Sequence, residues 1–145
     1  MSNKLPTESK IFTNLKRSVD DRGEIMSIVD TSVQNVSIIH CYQKTIRSNH
    51  YHKIDFHFMY VLDGEIDYFY KGLNDNIVKY IKVLKGETIF TPNLEIHATY
   101  FPIDTKLVVS SGFPRDQKTY EEDTVRVSFL NNENVHEYLE KYDIS

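Results

Sequence analysis

The sequence predicts an all-β chain: an antiparallel β-barrel of jelly-roll type with a short C-terminal helix. Three observations predict it. Short apolar and β-branched runs recur along the 145 residues, set apart by Gly, Pro, Asn and Asp at close intervals. No helical pattern alternates with them, which excludes a parallel sheet built from βαβ units. Four histidines stand among glycines and a proline, as His50-x-His52-x4-His57-x6-Gly64 and then Gly86-x5-Pro92-x4-His97. That spacing suits strands, where residues two apart share a face, and not the i, i+4 face of a helix.

Taken in order, Met1 to Lys10 is polar, contains Pro6, and reads as a flexible arm. Asp20-Asp21-Arg22-Gly23 is a turn signal ahead of a strand over Glu24–Val29. Val36–Tyr42 is apolar and β-branched and reads as a buried strand. Ile46–His52 alternates and is expected to carry the first two histidines. His57–Leu62 and Glu65–Tyr70 flank Asp63-Gly64, a dipeptide that favours a tight hairpin because both residues tolerate positive φ. Alternation puts Met59 and Val61 on the face of His57, and Phe58 and Tyr60 on the other. Ile77–Leu84 ends in Lys85-Gly86, and Thr88–Phe90, His97–Phe101 and Lys106–Ser111 complete the strand pattern. A helix is expected over 132–142, capped by Asn132, with Val135, Tyr138, Leu139 and Tyr142 on one face. The whole of 1–145 reads as a single domain.

The formal charge of −4 argues against non-specific nucleic-acid binding, which needs a basic surface to neutralise phosphates. One cysteine, Cys41, excludes an internal disulfide and fits a reducing compartment. Met1 to Lys10 lacks the apolar stretch of a signal peptide, and no run approaches the ~20 apolar residues of a membrane span. The expectation is a cytoplasmic protein without membrane association. Strand edges at barrel ends are commonly covered by a second copy, so a homodimer is expected.

The histidines carry the chemistry. His50 and His52 project together from one strand, a second strand supplies His57, and a distant strand after the Gly86–Pro92 turn supplies His97. Burying several imidazoles without partners is costly, so the four are expected to share one site. Neutral imidazoles are familiar ligands for one divalent metal, zinc or else manganese, iron or nickel. His40 and His136 lie outside this pattern and read as packing or surface residues.

The two segments resemble the two motifs of the cupin superfamily, G-x5-H-x-H-x3–4-E-x6-G and G-x5-P-x-G-x2-H-x3-N. His50, His52, Gly64, Gly86, Pro92 and His97 fall on their places, over a stretch from about Ile25 to Ser111. Lys44 stands in place of the first glycine, His57 of the glutamate, Leu94 of the second-motif glycine and Phe101 of the asparagine. Within this, Arg47-Ser48-Asn49-His50-Tyr51-His52-Lys53 is similar to the R-G-x-H segment of dTDP-4-dehydrorhamnose 3,5-epimerases. It is closer to the R-G-F-H-A-H-K of dTDP-hexose 3,4-ketoisomerases and the R-G-N-H-Y-H of capsular UDP-sugar enzymes, with Ser48 replacing the glycine. Tyr120-Glu121-Glu122-Asp123-Thr124-Val125-Arg126 resembles the Y-(D/E)-E-x-D-Y-I-R stretch after the ketoisomerase barrel.

The resemblance implies a cupin barrel acting on a nucleotide-linked 4-keto-6-deoxy sugar, as epimerase or ketoisomerase. The shared chemistry is proton abstraction next to a carbonyl. His50 or His52 is then the base, titrating near working pH. Arg47 and Lys53 would stabilise the oxyanion or grip the diphosphate, and Tyr51 and Tyr100 would line the pocket. The resembling epimerases and ketoisomerases generally use histidine without a metal, whereas the capsular cupin domain resembles a zinc binder. Two other readings stay open: a metal-dependent cupin dioxygenase, and a sugar-binding cupin without catalysis.

Overall fold

A computed structural model describes residues 5–12 and 14–142. The strands in chain order are β1 (Lys10–Phe12), β2 (Leu15–Asp20), β3 (Gly23–Ser27), β4 (Asn35–Cys41), β5 (Thr45–His52) and β6 (His57–Asp63). They continue as β7 (Glu65–Gly72), β8 (Lys79–Leu84), β9 (Thr88–Thr91), β10 (Glu95–Phe101) and β11 (Thr105–Ser111). Helix α1 (Gln117–Asp123), strand β12 (Thr124–Arg126) and helix α2 (Val135–Tyr142) close the chain. Two five-stranded antiparallel sheets face each other, in the orders β1-β9-β6-β11-β4 and β12-β5-β10-β7-β8. A separate hairpin joins β2 to β3. The predicted all-β architecture and its C-terminal helix are present.

The turns do more than reverse the chain. Asp63-Gly64 was expected to close a hairpin, yet β6 and β7 lie in different sheets. Gly64 instead carries the chain across the barrel edge at φ 93°. A Cβ there would lie 2.6 Å from the Asp104 carbonyl oxygen and 2.7 Å from Thr105 Cα, so the crossing needs glycine. The connections β5 to β6, β8 to β9, β9 to β10 and β10 to β11 also pass from one sheet to the other. Gly and Pro cluster where the chain turns a corner, because positive φ and a preset φ cost those residues least.

Alternation sorts each strand's residues between two layers. The barrel interior packs Met59, Val61, Ile66, Tyr68, Phe101 and Leu107. The outer face of the second sheet packs Phe69, Ala98 and Tyr100 against Val135, Tyr138, Leu139 and Tyr142 of α2. The predicted helix face is therefore the packed one. Its start differs: Asn131, not Asn132, takes the capping role, its Oδ1 accepting from the backbone N–H groups of Glu133 and Asn134. The helix then begins at Val135 rather than at 132.

Two further expectations change. The arm over Met1–Lys10 is anchored at its described end. Ser9 is buried, its N–H and hydroxyl donate to Glu95, and β1 pairs with β9. The residues before Leu5 lie outside the described residues. Strand β4 is not buried on both faces. Among the described residues it pairs with β11 alone and is an edge strand, and its outward Val36 and Ile38 are 60% and 76% exposed. Among the described residues no helix is long and apolar enough to cross a membrane.

Candidate active site

The site sits where β5, β10 and β6 meet, and a defect in β5 builds it. The register of β5 against β10 pairs Arg47 with Thr99, Ser48 with Ala98, and then His50 with His97. Asn49 has no partner, so it is the extra residue of a β-bulge. Ser48 and Asn49 both take left-handed backbone, at φ 73° and 58°. In an unbroken strand Arg47 and His50, three apart, would face opposite ways. The bulge shifts the phase by one residue, and both line one cavity together with His57, Met59, Arg115 and Tyr120.

The four histidines converge. Ring centroids of His50 lie 4.7 Å from His52 and 4.8 Å from His97, and His52 lies 4.6 Å from His57. All four are buried. His97 fills the inner face of β10, and its Nδ1–H is placed to donate to the Glu95 carbonyl at 3.2 Å, which leaves Nε2 as acceptor. Two carboxylates back the cluster. Asp55 Oδ2 lies 3.2 Å from His57 Nε2, and Asp123 Oδ2 lies 3.2 Å from His52 Nδ1. Asp123, at the end of α1, also accepts from the N–H groups of Ile54 and Asp55, fixing the β5–β6 turn. Neither ring nitrogen of His52 is aligned for a hydrogen bond.

Burial sets the protonation. It pushes His50 down to about 3, reinforced by repulsion from His52 and His57. His52 falls to about 4, again by burial first and His57 second, with Asp55 and Asp123 opposing. His97 is held well below its ordinary value by burial and by the neighbouring rings. This corrects the expectation of a base titrating near working pH. Desolvation favours the neutral form of His50, His52 and His97 at pH 7.

The donor set fits a divalent cation. His50, His52 and His97 offer ring nitrogens within 4.8 Å of one another, and His52, Asp55 and His57 form a second such group. Imidazoles, an adjacent carboxylate and a buried His52 Nε2 with no hydrogen-bond partner among the described residues are what such an ion coordinates.

Three predicted substrate residues lie elsewhere. Tyr51 falls between His50 and His52, so it faces away from the cavity, opposite Val125 of β12. Tyr100 alternates with His97 across the same sheet and is buried beneath α2, edge-on to His136. Lys53 lies past the end of β5, where its ammonium donates to the Glu122 carbonyl in a separate cleft behind Asp55 and Asp123. Arg47 is at the cavity as expected.

Four residues that strand spacing did not single out also belong here: Asp55, Asp123, Arg115 and Tyr120. The Arg115 guanidinium sits 5.0 Å from the centre of the Tyr120 ring, which in turn packs near His50 and His52. Tyr120 and Asp123 stand in the stretch that resembles the segment after the ketoisomerase barrel, which was the available signal. Arg115 and Asp55 had none.

Three residues that stand where the resembling motifs carry glycine have positive φ. Lys44, Ser48 and Leu94 replace motif glycines and take φ 62°, 73° and 57°. The turns keep the left-handed geometry that glycine would supply.

No family model matches the sequence, and no curated protein matches it. Solved structures do share its fold. The QdtA sugar 3,4-ketoisomerase from Thermoanaerobacterium thermosaccharolyticum, in complex with TDP, superposes with a TM-score of 0.67 at 15% identity, covering 96% of this chain and 100% of that one. The WlaRB TDP-quinovose 3,4-ketoisomerase from Campylobacter jejuni gives 0.66 at 17%, over 81% and 97%. The capsular polysaccharide assembling protein CapF from Staphylococcus aureus gives 0.61 at 20%, over 81% of this chain and 32% of that one. The fold is thus an antiparallel jelly-roll barrel shared with these solved 3,4-ketoisomerases.

Proposed function

We propose that this chain is a sugar-nucleotide isomerase that abstracts a proton next to the carbonyl of a nucleotide-linked 4-keto-6-deoxy sugar. One observation carries the reading: a buried cluster of imidazoles opens on a cavity that also presents Arg47 and Arg115. An imidazole there can accept a proton, and two guanidiniums suit a diphosphate. The fold shared with 3,4-ketoisomerases, one of them solved with TDP, supports it.

His50 lines the cavity and is the base. It removes the C3 proton, and the C–H electrons form an enediolate across C3 and C4. Return of a proton to C3 from the other face gives the epimer. Delivery to C4, with loss of the C3 hydroxyl proton, gives the 3-keto isomer. Burial makes His50 a weak base, but a diphosphate and a developing enediolate add negative charge beside it and raise its proton affinity. Arg47, exposed at the cavity mouth, and the half-buried Arg115 place positive charge where the diphosphate and the enediolate would lie. Incubation in deuterium oxide with dTDP-, UDP-, GDP- and CDP-linked 4-keto sugars tests this. Solvent deuterium should appear at the carbon next to the carbonyl, and absence of both binding and exchange across the panel overturns the reading.

A second reading of the same cluster is one divalent cation held by His50, His52, His57 and His97, supported by the two donor groups that share His52; it excludes His50 as the base, because a coordinated imidazole has no lone pair left for a proton. When bound, such an ion would polarise a sugar oxygen. Metal analysis of protein purified without a histidine tag checks it, and a metal-free protein with full activity removes the ligand role. Oxygen uptake by metal-loaded protein would move the assignment to a dioxygenase.

The working form we propose is a homodimer in the cytoplasm. Its support is the edge strand β4, whose outward Val36 and Ile38 form an apolar strip beside an open strand edge. Sedimentation at micromolar concentration should give twice the 17.1 kDa chain mass, and a clean monomer would count against the dimer.

A further inference from the structure

We infer that Asn49 is a positioning residue, which holds the bulge in β5 and thereby turns Arg47 into the histidine cavity. The inference rests on the reading of Arg47 as part of the diphosphate grip. Three observations converge on this residue. Asn49 is the unpaired residue at the register shift between His97 and Ala98. It is left-handed at φ 58°, a conformation that asparagine tolerates and β-branched residues resist. Its carboxamide is fully engaged with the segment after β12. Oδ1 accepts from the N–H groups of Phe129 and Leu130 at 3.2 and 3.0 Å, and Nδ2 donates to the Leu130 carbonyl at 2.9 Å. Its own carbonyl accepts from Val127 N–H at 2.8 Å.

The consequence follows from strand phase. On β5, Ile46 faces outward and packs with Tyr100 under the α2 layer, so Arg47 faces inward. Without an extra residue Arg47 would fall on the face of Asn49 and Tyr51, so with His50 and His52 held inward by the buried cluster it would face out. With Asn49 taken up in the bulge, Arg47, His50 and His52 share the inner face. The strap at 127–130 grips Asn49 from outside the barrel. Leu130 at its end is buried with Val135 and Phe69, so the grip is anchored in the α2 layer.

The test compares Asn49→Gly, Asn49→Val and Arg47→Ala. Glycine keeps the left-handed backbone and loses the clamp, whereas valine opposes that backbone. The probes are dTDP and UDP, titrated calorimetrically, with melting temperature recorded for each variant. Arg47→Ala and Asn49→Val should each weaken binding at least ~10-fold, and the double variant should be no weaker than either single one, since both remove the same contact. Asn49→Gly should weaken binding ~3–10-fold, between the parent and the valine variant, because it keeps the left-handed backbone and loses the clamp. Multiplicative losses, or unchanged binding in a folded Asn49→Val protein, would overturn the inference. A crystal structure of the valine variant reads the outcome without any ligand. Arg47 leaving the cavity supports the inference even if neither nucleotide binds the parent protein, an outcome that would count against the proposed function alone. If valine prevents folding, Asn49→Asp and Asn49→Gly structures replace it. Arg47 should then stay in the cavity in the aspartate variant, which keeps the Oδ1 acceptor, and be displaced in the glycine variant; Arg47 unmoved in the glycine variant would overturn the inference.

Discussion

The two faces of strand β10 make opposite contributions. Inward, His97 and Thr99 are polar and buried. Outward, Ala98 and Tyr100 join Phe69, Leu130 and Val135 in an apolar layer under α2. Residues one position apart thus serve different ends. The outer layer contributes burial free energy, roughly 1.5–3 kcal/mol for each large apolar side chain. The inner cluster costs free energy, because imidazoles and carboxylates are desolvated around an open cavity. A functional site of this kind is held in place by apolar packing one layer away.

That contrast can be broken from either side. The largest effect is expected for His50→Asn. Loss of the base should cut isomerisation ~10²–10⁴-fold with little change in melting temperature, read by steady-state kinetics and thermal denaturation together. A parallel collapse of stability would assign His50 to the scaffold. Phe69→Ala, in the outer layer, should do the reverse. It should destabilise by about 3–5 kcal/mol in denaturant titrations and leave the activity of the folded fraction intact.

Acid sharpens the same contrast. His50 and His52 are held at about 3 and about 4 in the fold, against an ordinary 6.5 when unfolded. Below 6.5 the unfolded chain binds protons that the folded site refuses, so stability falls as pH drops from about 6.5 toward 4. Each such group contributes up to about 1.4 kcal/mol per pH unit, and above 7 the contribution vanishes. Melting temperatures from pH 7.5 to 4.5 should show this slope. Replacing His50 and His52 together by glutamine should flatten it, and an unchanged slope would place the titration elsewhere.

Smaller effects probe the rim and the strained turns. Arg47→Lys keeps the charge and loses the planar fork, so KM should rise several-fold while kcat holds. Leu94→Gly and Ser48→Gly each relieve a left-handed non-glycine residue. Stability should rise by about 0.5–1 kcal/mol at each, and a loss at Ser48 would mean that its side chain is needed at the cavity wall.

Much of the site was legible before the fold was known. His50 and His52 are two apart, so any strand puts them on one face. The spacing of glycine and proline also separated the strands well, since those residues mark turns by their local backbone preferences. Tyr51 and Tyr100 were misplaced because residue type suggests a role while face decides it. Asp55 and Arg115 left no pattern, since they reach the cluster from turns with no period to read. The hairpin expected at Asp63-Gly64 failed for a related reason. Positive φ is a local property, but whether the next strand joins the same sheet or the opposite one is not.

By itself, then, the sequence determined the all-β class, the turn positions, the packed face of α2 and the company of histidines, all of which depend on near neighbours along the chain. Only the tertiary structure decided which face of each strand is inside. It alone brought Asp55 and Asp123 behind the histidines and set β4 at an open edge. It alone showed the bulge at Asn49 that puts Arg47 and His50 in one cavity. The physical reason is that alternation fixes relative orientation only within an unbroken strand. Absolute orientation, and the places where the phase slips, are set by the register against partner strands far away in sequence.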